Sequence, residues 1–162
     1  MCQFKSGILF RGGELFTSPF TDAHDDLIAI RGLVDDRAGC IQNWVRVEYT
    51  PDAEWKTWTL RVDESETPAW FDDDARHATT EKFERLIAAM TFSTGRRALI
   101  VGEQVIVCGD AVVGLGMGAH AVCVRDNAQV TNVRGNAQVT NVWGNAKVTD
   151  VRDNAQVTHV RD

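Results

Sequence analysis

The 162-residue chain carries 17 Lys and Arg against 23 Asp and Glu, a net charge of −6, with 44% hydrophobic and 25% charged residues. Those proportions exclude wholesale disorder and collagen-like structure, and no apolar stretch reaches the ~20 residues that a membrane-spanning helix needs. The charge is uneven: residues 1–95 hold 10 basic and 17 acidic side chains, residues 96–162 hold 7 and 6, and all aromatics but Trp143 precede residue 93.

Within the first piece, CQFKSGILFRGGELFTS (residues 2–18) reads as two strands joined at Gly12-Gly13, a strong hairpin signal. Thr21 is positioned to cap a helix from Asp22 to about Val34, with Asp22, Asp25 and Asp26 complementing its dipole and Leu27, Ile30, Leu33 and Val34 as its apolar stripe. Two further strands follow, NWVRVEY (43–49) and WKTWTLRV (55–62), linked around Pro51. A second helix is expected from about Asp73 to Met90, its buried face formed by Phe83, Leu86, Ile87 and Met90. The order ββαββα predicts an α+β head over residues 1–95: a mainly antiparallel four-stranded sheet with two helices on one face, its core supplied largely by Trp44, Trp55, Trp58 and Trp70. The second helix leads without a flexible linker into apolar strands ALIV and QVIV, and is expected to cap the piece that follows.

That piece, residues 96–162, is a nine-residue repeat: VRDNAQVTN, VRGNAQVTN, VWGNAKVTD, VRDNAQVTH, then VRD. One column holds Val124, Val133, Val142, Val151 and Val160, others hold Asn127 to Asn154 and Ala128 to Ala155, and the frame runs back weakly through Leu115 and Ile106, with Gly118 and Gly109 in the Asn column. A period of nine with apolar positions two apart is not helical. Alternation in NAQVT points Ala and Val inward and Gln and Thr outward, while Asp-Asn and Gly-Asn supply corners. A parallel β-solenoid, or β-roll, follows, regular over 124–162 and degenerate from about 106, with two repeats per coil or three in a wider one, the former preferred because small inward residues suit a narrow coil.

In such a coil alternate repeats stack at ~4.8 Å. Arg125, Trp143 and Arg161 then form one ladder, a cation–π sandwich, with Arg134 and Arg152 in the other, and Thr131 with Thr149 and Thr140 with Thr158 form outward hydroxyl ladders. These nine residues are the candidate binding surface. The final repeat breaks off at Asp162, so the coils are expected to dock on one another in a homo-oligomer.

Chemistry is sparse. MCQFKSGILF lacks a signal peptide's apolar core and cleavage site, so a soluble, cytoplasmic protein is expected. Cys2, Cys40, Cys108 and Cys123 have no CxxC spacing, and reduced thiols are expected. The acidic head does not suit a nucleic-acid backbone, and no membrane partner is indicated. Cys2 and His24 are the candidate catalytic residues: removal of Met1 would expose a Cys2 α-amine able to act as a local base, and His24 lies beside Asp25 and Asp26. His24 otherwise reads as a helix-surface residue, as does His77. Glu48 and Asp63 read as partners of Arg46 and Arg61 across strands. No metal or cofactor motif is recognised: Cys2, His24, Cys40 and His77 have no zinc-site spacing, and the turn aspartates Asp126, Asp153 and Asp162 are too few for a calcium-binding nonapeptide.

The stretches MCQFKSGILF, DAHDDLIAIRGL, WVRVEYTP and WTLRVDESETPAWF together resemble an uncharacterised module at the N-termini of bacteriophage and mobile-element proteins, with the pattern CQFKS, a His before a Leu-rich helix, RVE, RVD and PxW. The resemblance covers about residues 2–71 and implies a phage or mobile-element origin, and the repeats resemble β-solenoid tracts of such genomes. Class II amidotransferases and the DNA-crosslinking SRAP proteins also begin Met-Cys, but continue with Gly where this chain has Gln3. The leading expectation is a non-enzymatic interaction protein whose solenoid mediates self-assembly or docking on a host protein, with inhibition of a host factor as a possible outcome. The alternatives are an N-terminal-cysteine hydrolase or amidotransferase-like enzyme built on Cys2, and a structural fibre or virion component.

Overall fold

The computed structural model describes residues 4–34 and 43–161. The chain divides into two compact units, Met1–Leu86 and Ile87–Asp162.

Among the described residues the first unit has the predicted ββαββα order. Strands β1 (Ser6–Phe10), β2 (Leu15–Phe16), β3 (Trp44–Pro51) and β4 (Trp58–Val62) form an antiparallel sheet in the order β2-β1-β3-β4. Gly13, at φ 87°, makes the β1–β2 turn and donates its N–H to the Phe10 carbonyl, a conformation that only glycine adopts without steric cost.

Helix α1 is shorter than its periodicity suggests. It spans His24–Arg31, begins after Ala23 rather than Thr21, and ends at Gly32 in the left-handed region. The Thr21 hydroxyl instead accepts the Ala23 N–H and donates to Asp26, so it braces the approach to the helix. Its buried face is His24, Leu27 and Ile28, while Ile30 and Val34 are 59% and 73% exposed. Positions i, i+3 and i+4 share one face, and the sheet selects the face bearing the histidine.

Helix α2 runs Asp73–Met90, with Thr79 and Phe83 buried. The two helices do not share a face of the sheet. Leu27 and Ile28 of α1 pack with Ile8 and Trp44, whereas Phe83 stacks on Tyr49 with ring centroids 5.3 Å apart. Trp44 and Tyr49 are an odd number of residues apart on β3, and strand alternation puts them on opposite sides. Among the four head tryptophans only Trp44 is fully buried. Trp55 and Trp58 meet edge to face at 5.6 Å, and Trp58 stacks on Tyr49.

The second unit is a parallel β-solenoid of about four turns, with two strands per coil. One sheet orders β12-β10-β8-β6 (Lys147–Val148, Gln129–Val133, Val112–Leu115, Arg96–Ile100). The other orders β13-β11-β9-β7-β5 (Gln156–Arg161, Gln138–Trp143, His120–Val124, Gln104–Val107, Thr91–Phe92). Coiling thus begins at Thr91, before the repeat is readable. The regular coils are 18 residues long, Val139 pairing with Val157 and Val142 with Val160. The first is tighter, with Thr91 against Ile106 and Phe92 against Val107. A register shift between Val105 and Ile106 places Val107, not Ile106, on Val124. Leu115 does extend its column, pairing with Val133.

The corners explain the alternation of Asp and Gly. Asp126, Gly135, Gly144 and Asp153 have φ near +60 to +70°, a region that Asp tolerates when its side chain bonds locally. Asp126 Oδ2 accepts the Gly109 N–H at 3.1 Å and Asp153 Oδ2 accepts the Gly135 N–H at 3.0 Å. Each aspartate therefore closes an amide of the coil before it. Gly118 and Gly109, assigned by spacing to the Asn column, take this left-handed corner themselves.

Candidate functional site

Three head residues distant in sequence converge. His24 opens α1, Glu48 lies on β3, and Asp63 follows β4, its N–H donated to the Arg46 carbonyl at 3.0 Å. Their donor atoms all lie within 4.8 Å of one another. His24 is buried, with Nδ1 3.1 Å from Asp63 Oδ2 and Nε2 3.3 Å from the Val47 carbonyl oxygen. Asp63 keeps 56% of its side chain exposed, so the cluster opens to solvent on that side.

This arrangement corrects two readings of the sequence. His24 is not a helix-surface residue, because the inward face of α1 includes its first position. Among the described residues Asp63 pairs with His24 and not with an arginine, while Arg46 bonds Glu64 at 2.8 Å. Glu48 does stand opposite Arg61 in the register of β3 and β4. As a general base His24 is poorly disposed, since both ring nitrogens already face oxygen atoms. Cys2, the other catalytic candidate, and Cys40 lie outside the described residues. His77 is on the surface of α2, 3.4 Å from Glu81.

A second ionic feature had no sequence signal. Lys5 is 2% exposed, with Nζ 2.9 Å from Asp22 Oδ1 and 2.5 Å from the Ser18 carbonyl oxygen. Burial pushes its ammonium below the usual lysine value, opposed by the charge and hydrogen bond of Asp22.

On the solenoid, the nine candidate binding residues separate. Arg161 lies over the Trp143 ring at 5.1 Å, half of the expected sandwich, while Arg125 bonds its neighbour Asp126 at 3.0 Å. Arg152 pairs with Asp150 at 2.8 Å, and Arg134 is exposed. The threonines do not form a uniform outward face. Thr131 donates to the Val113 carbonyl at 3.3 Å and Thr140 lies 2.6 Å from His120 Nε2, whereas Thr149 and Thr158 are exposed. Cys108 and Cys123 are buried free thiols, and burial pushes the Cys123 thiol up to about 12. Comparison with protein-family models, with curated proteins and with solved structures finds no match. No helix among the described residues is long and apolar enough to cross a membrane.

Proposed function

We propose that the protein is a non-enzymatic interaction module whose solenoid joins a second copy of the chain. The supporting observation is a fall in burial along the coils. Ala137 and Val139 are 0% exposed, whereas Ala155 and Val157, one coil on, are only partly buried, and Val151 and Val160 are 46% and 69% exposed. Strands β12 and β13 each have a single strand neighbour among the described residues. An apolar surface bordered by unpaired backbone groups is a template for adding strands. A two-fold contact between the coils that carry Val151 and Val160 buries both surfaces and closes the assembly at a dimer. A host protein docked on the same ladders, with inhibition of that host factor, is the extension of this reading that the resemblance to phage modules favours.

Light scattering on the full chain at tens of micromolar tests it. A dimer mass that returns to monomer in Val160→Lys supports the proposal. A monomer mass for the unaltered chain overturns it, and extended fibres overturn the closed two-fold contact in favour of a structural polymer.

A further inference from the structure

We propose that His24, Glu48 and Asp63 form a binding site for a divalent first-row transition-metal ion, independent of the solenoid reading. The argument starts from the histidine's hydrogen bonds. The Val47 carbonyl oxygen, 3.3 Å from Nε2, and the Asp63 carboxylate oxygen, 3.1 Å from Nδ1, can both only accept, so each ring nitrogen faces an acceptor. Glu48 stands beside them, its carboxylate within 4.8 Å of the ligand atoms of His24 and Asp63. A metal ion in place of a proton on Nδ1 takes the imidazole and both carboxylates as ligands, while Nε2 keeps its proton, donated to the Val47 carbonyl.

The geometry agrees with this reading. Ligands about 2.1 Å from a common ion lie about 3.0–3.4 Å apart, which matches the separation of Nδ1 and Asp63 Oδ2. Metal-bound histidines characteristically donate the other ring N–H to a carbonyl or carboxylate, which sets the tautomer, and Val47 occupies that place. One imidazole with two carboxylates suits Zn²⁺ or Mn²⁺ better than Ca²⁺ or Mg²⁺, which favour all-oxygen sets. The exposed side of Asp63 provides the path of entry and leaves positions for water or an anionic ligand. The three residues are held by separate elements, α1, β3 and the end of β4, so the set exists only in the folded head.

Equilibrium dialysis of the chelator-treated full chain against Zn²⁺ and against Mn²⁺, with metal analysis, tests the site. One equivalent is expected, with affinity at least ~10-fold weaker in Asp63→Asn and in Glu48→Gln and unchanged in His77→Gln, which removes the surface His77–Glu81 pair. Asp63 is exposed enough for its variant to fold, and circular dichroism checks that it does. A ¹⁵N spectrum of the imidazole adds an independent readout: the Nδ1 resonance shifts on Zn²⁺ addition in the unaltered chain and not in Asp63→Asn. Failure to take up either metal, uptake unaffected by Asp63→Asn, or an imidazolium protonated at both nitrogens with metal present overturns the proposal.

Discussion

The two units reach a buried core by opposite means. In the head, side chains of different shape each serve once: Phe83 stacks on Tyr49, Trp44 closes the face under α1, and His24 and Lys5 are buried with specific oxygen partners. In the solenoid the same Ala and Val positions recur coil after coil, and the core from Ile100 to Val142 contains no aromatic residue, only Phe92 packing at its margin. A head built from single-use contacts concentrates energy and chemistry in a few residues. A repeated core spreads energy thinly and offers surface instead of a cleft.

That contrast can be sharpened first by truncating the core. Phe83→Ala is expected to cost the head about 3–5 kcal/mol, and Leu115→Ala to cost the solenoid about 2–5 kcal/mol. Denaturant unfolding with near-UV circular dichroism, dominated by the head aromatics, and far-UV β signal would separate them. Equal response of both probes to both variants would break the comparison.

Alkaline pH should act on the solenoid next. The folded Cys123 thiol stays protonated up to about 12, whereas the unfolded thiol ionises from the ordinary value of 9.0. The folded state therefore binds more protons over that window, and stability, full below pH 9, falls as pH rises toward 12. The slope approaches about 1.4 kcal/mol per pH unit. Cys123→Ala should flatten it without abolishing it, since the Cys108 thiol, also raised by burial, contributes with the same sign. Guanidinium midpoints at pH 8 and pH 10 would show this.

A smaller effect isolates the corners. Gly144 has φ 62° and nothing near the position of an added Cβ, so Gly144→Ala introduces backbone strain without a clash. It should cost about 1–2 kcal/mol, read as a lowered thermal midpoint. Smallest is the ladder: Arg161→Ala removes the cation over Trp143 and should cost about 0.5–1 kcal/mol, with a change in the fluorescence of Trp143.

Several features were legible because they are local or periodic. The hairpin at Gly12-Gly13, the α2 boundaries, the ββαββα order and the paired repeats in each coil follow from turn chemistry and spacing. Others were hidden because they depend on long-range fit. Nothing in the sequence near His24 tells which face of α1 will meet the sheet, and the outward Asp25 and Asp26 made the whole first turn look exposed. Glu48 and Asp63 carry no spacing signal relative to residue 24, since antiparallel pairing of β3 and β4 sets their approach. The early coils escaped notice for a different reason: coils shorter than 18 residues keep the inward alternation but lose the period.

By itself, then, the sequence determined which segments become helix, strand and corner, and that a conventional core gives way to a repeated one, because these depend on side-chain period and backbone preference. Only the tertiary structure decided that the helices lie on opposite faces of the sheet, that Val107 takes the place of Ile106, and that His24, Glu48 and Asp63 meet. Each of those outcomes depends on register and packing between residues far apart in the chain, and local propensity carries no information about either.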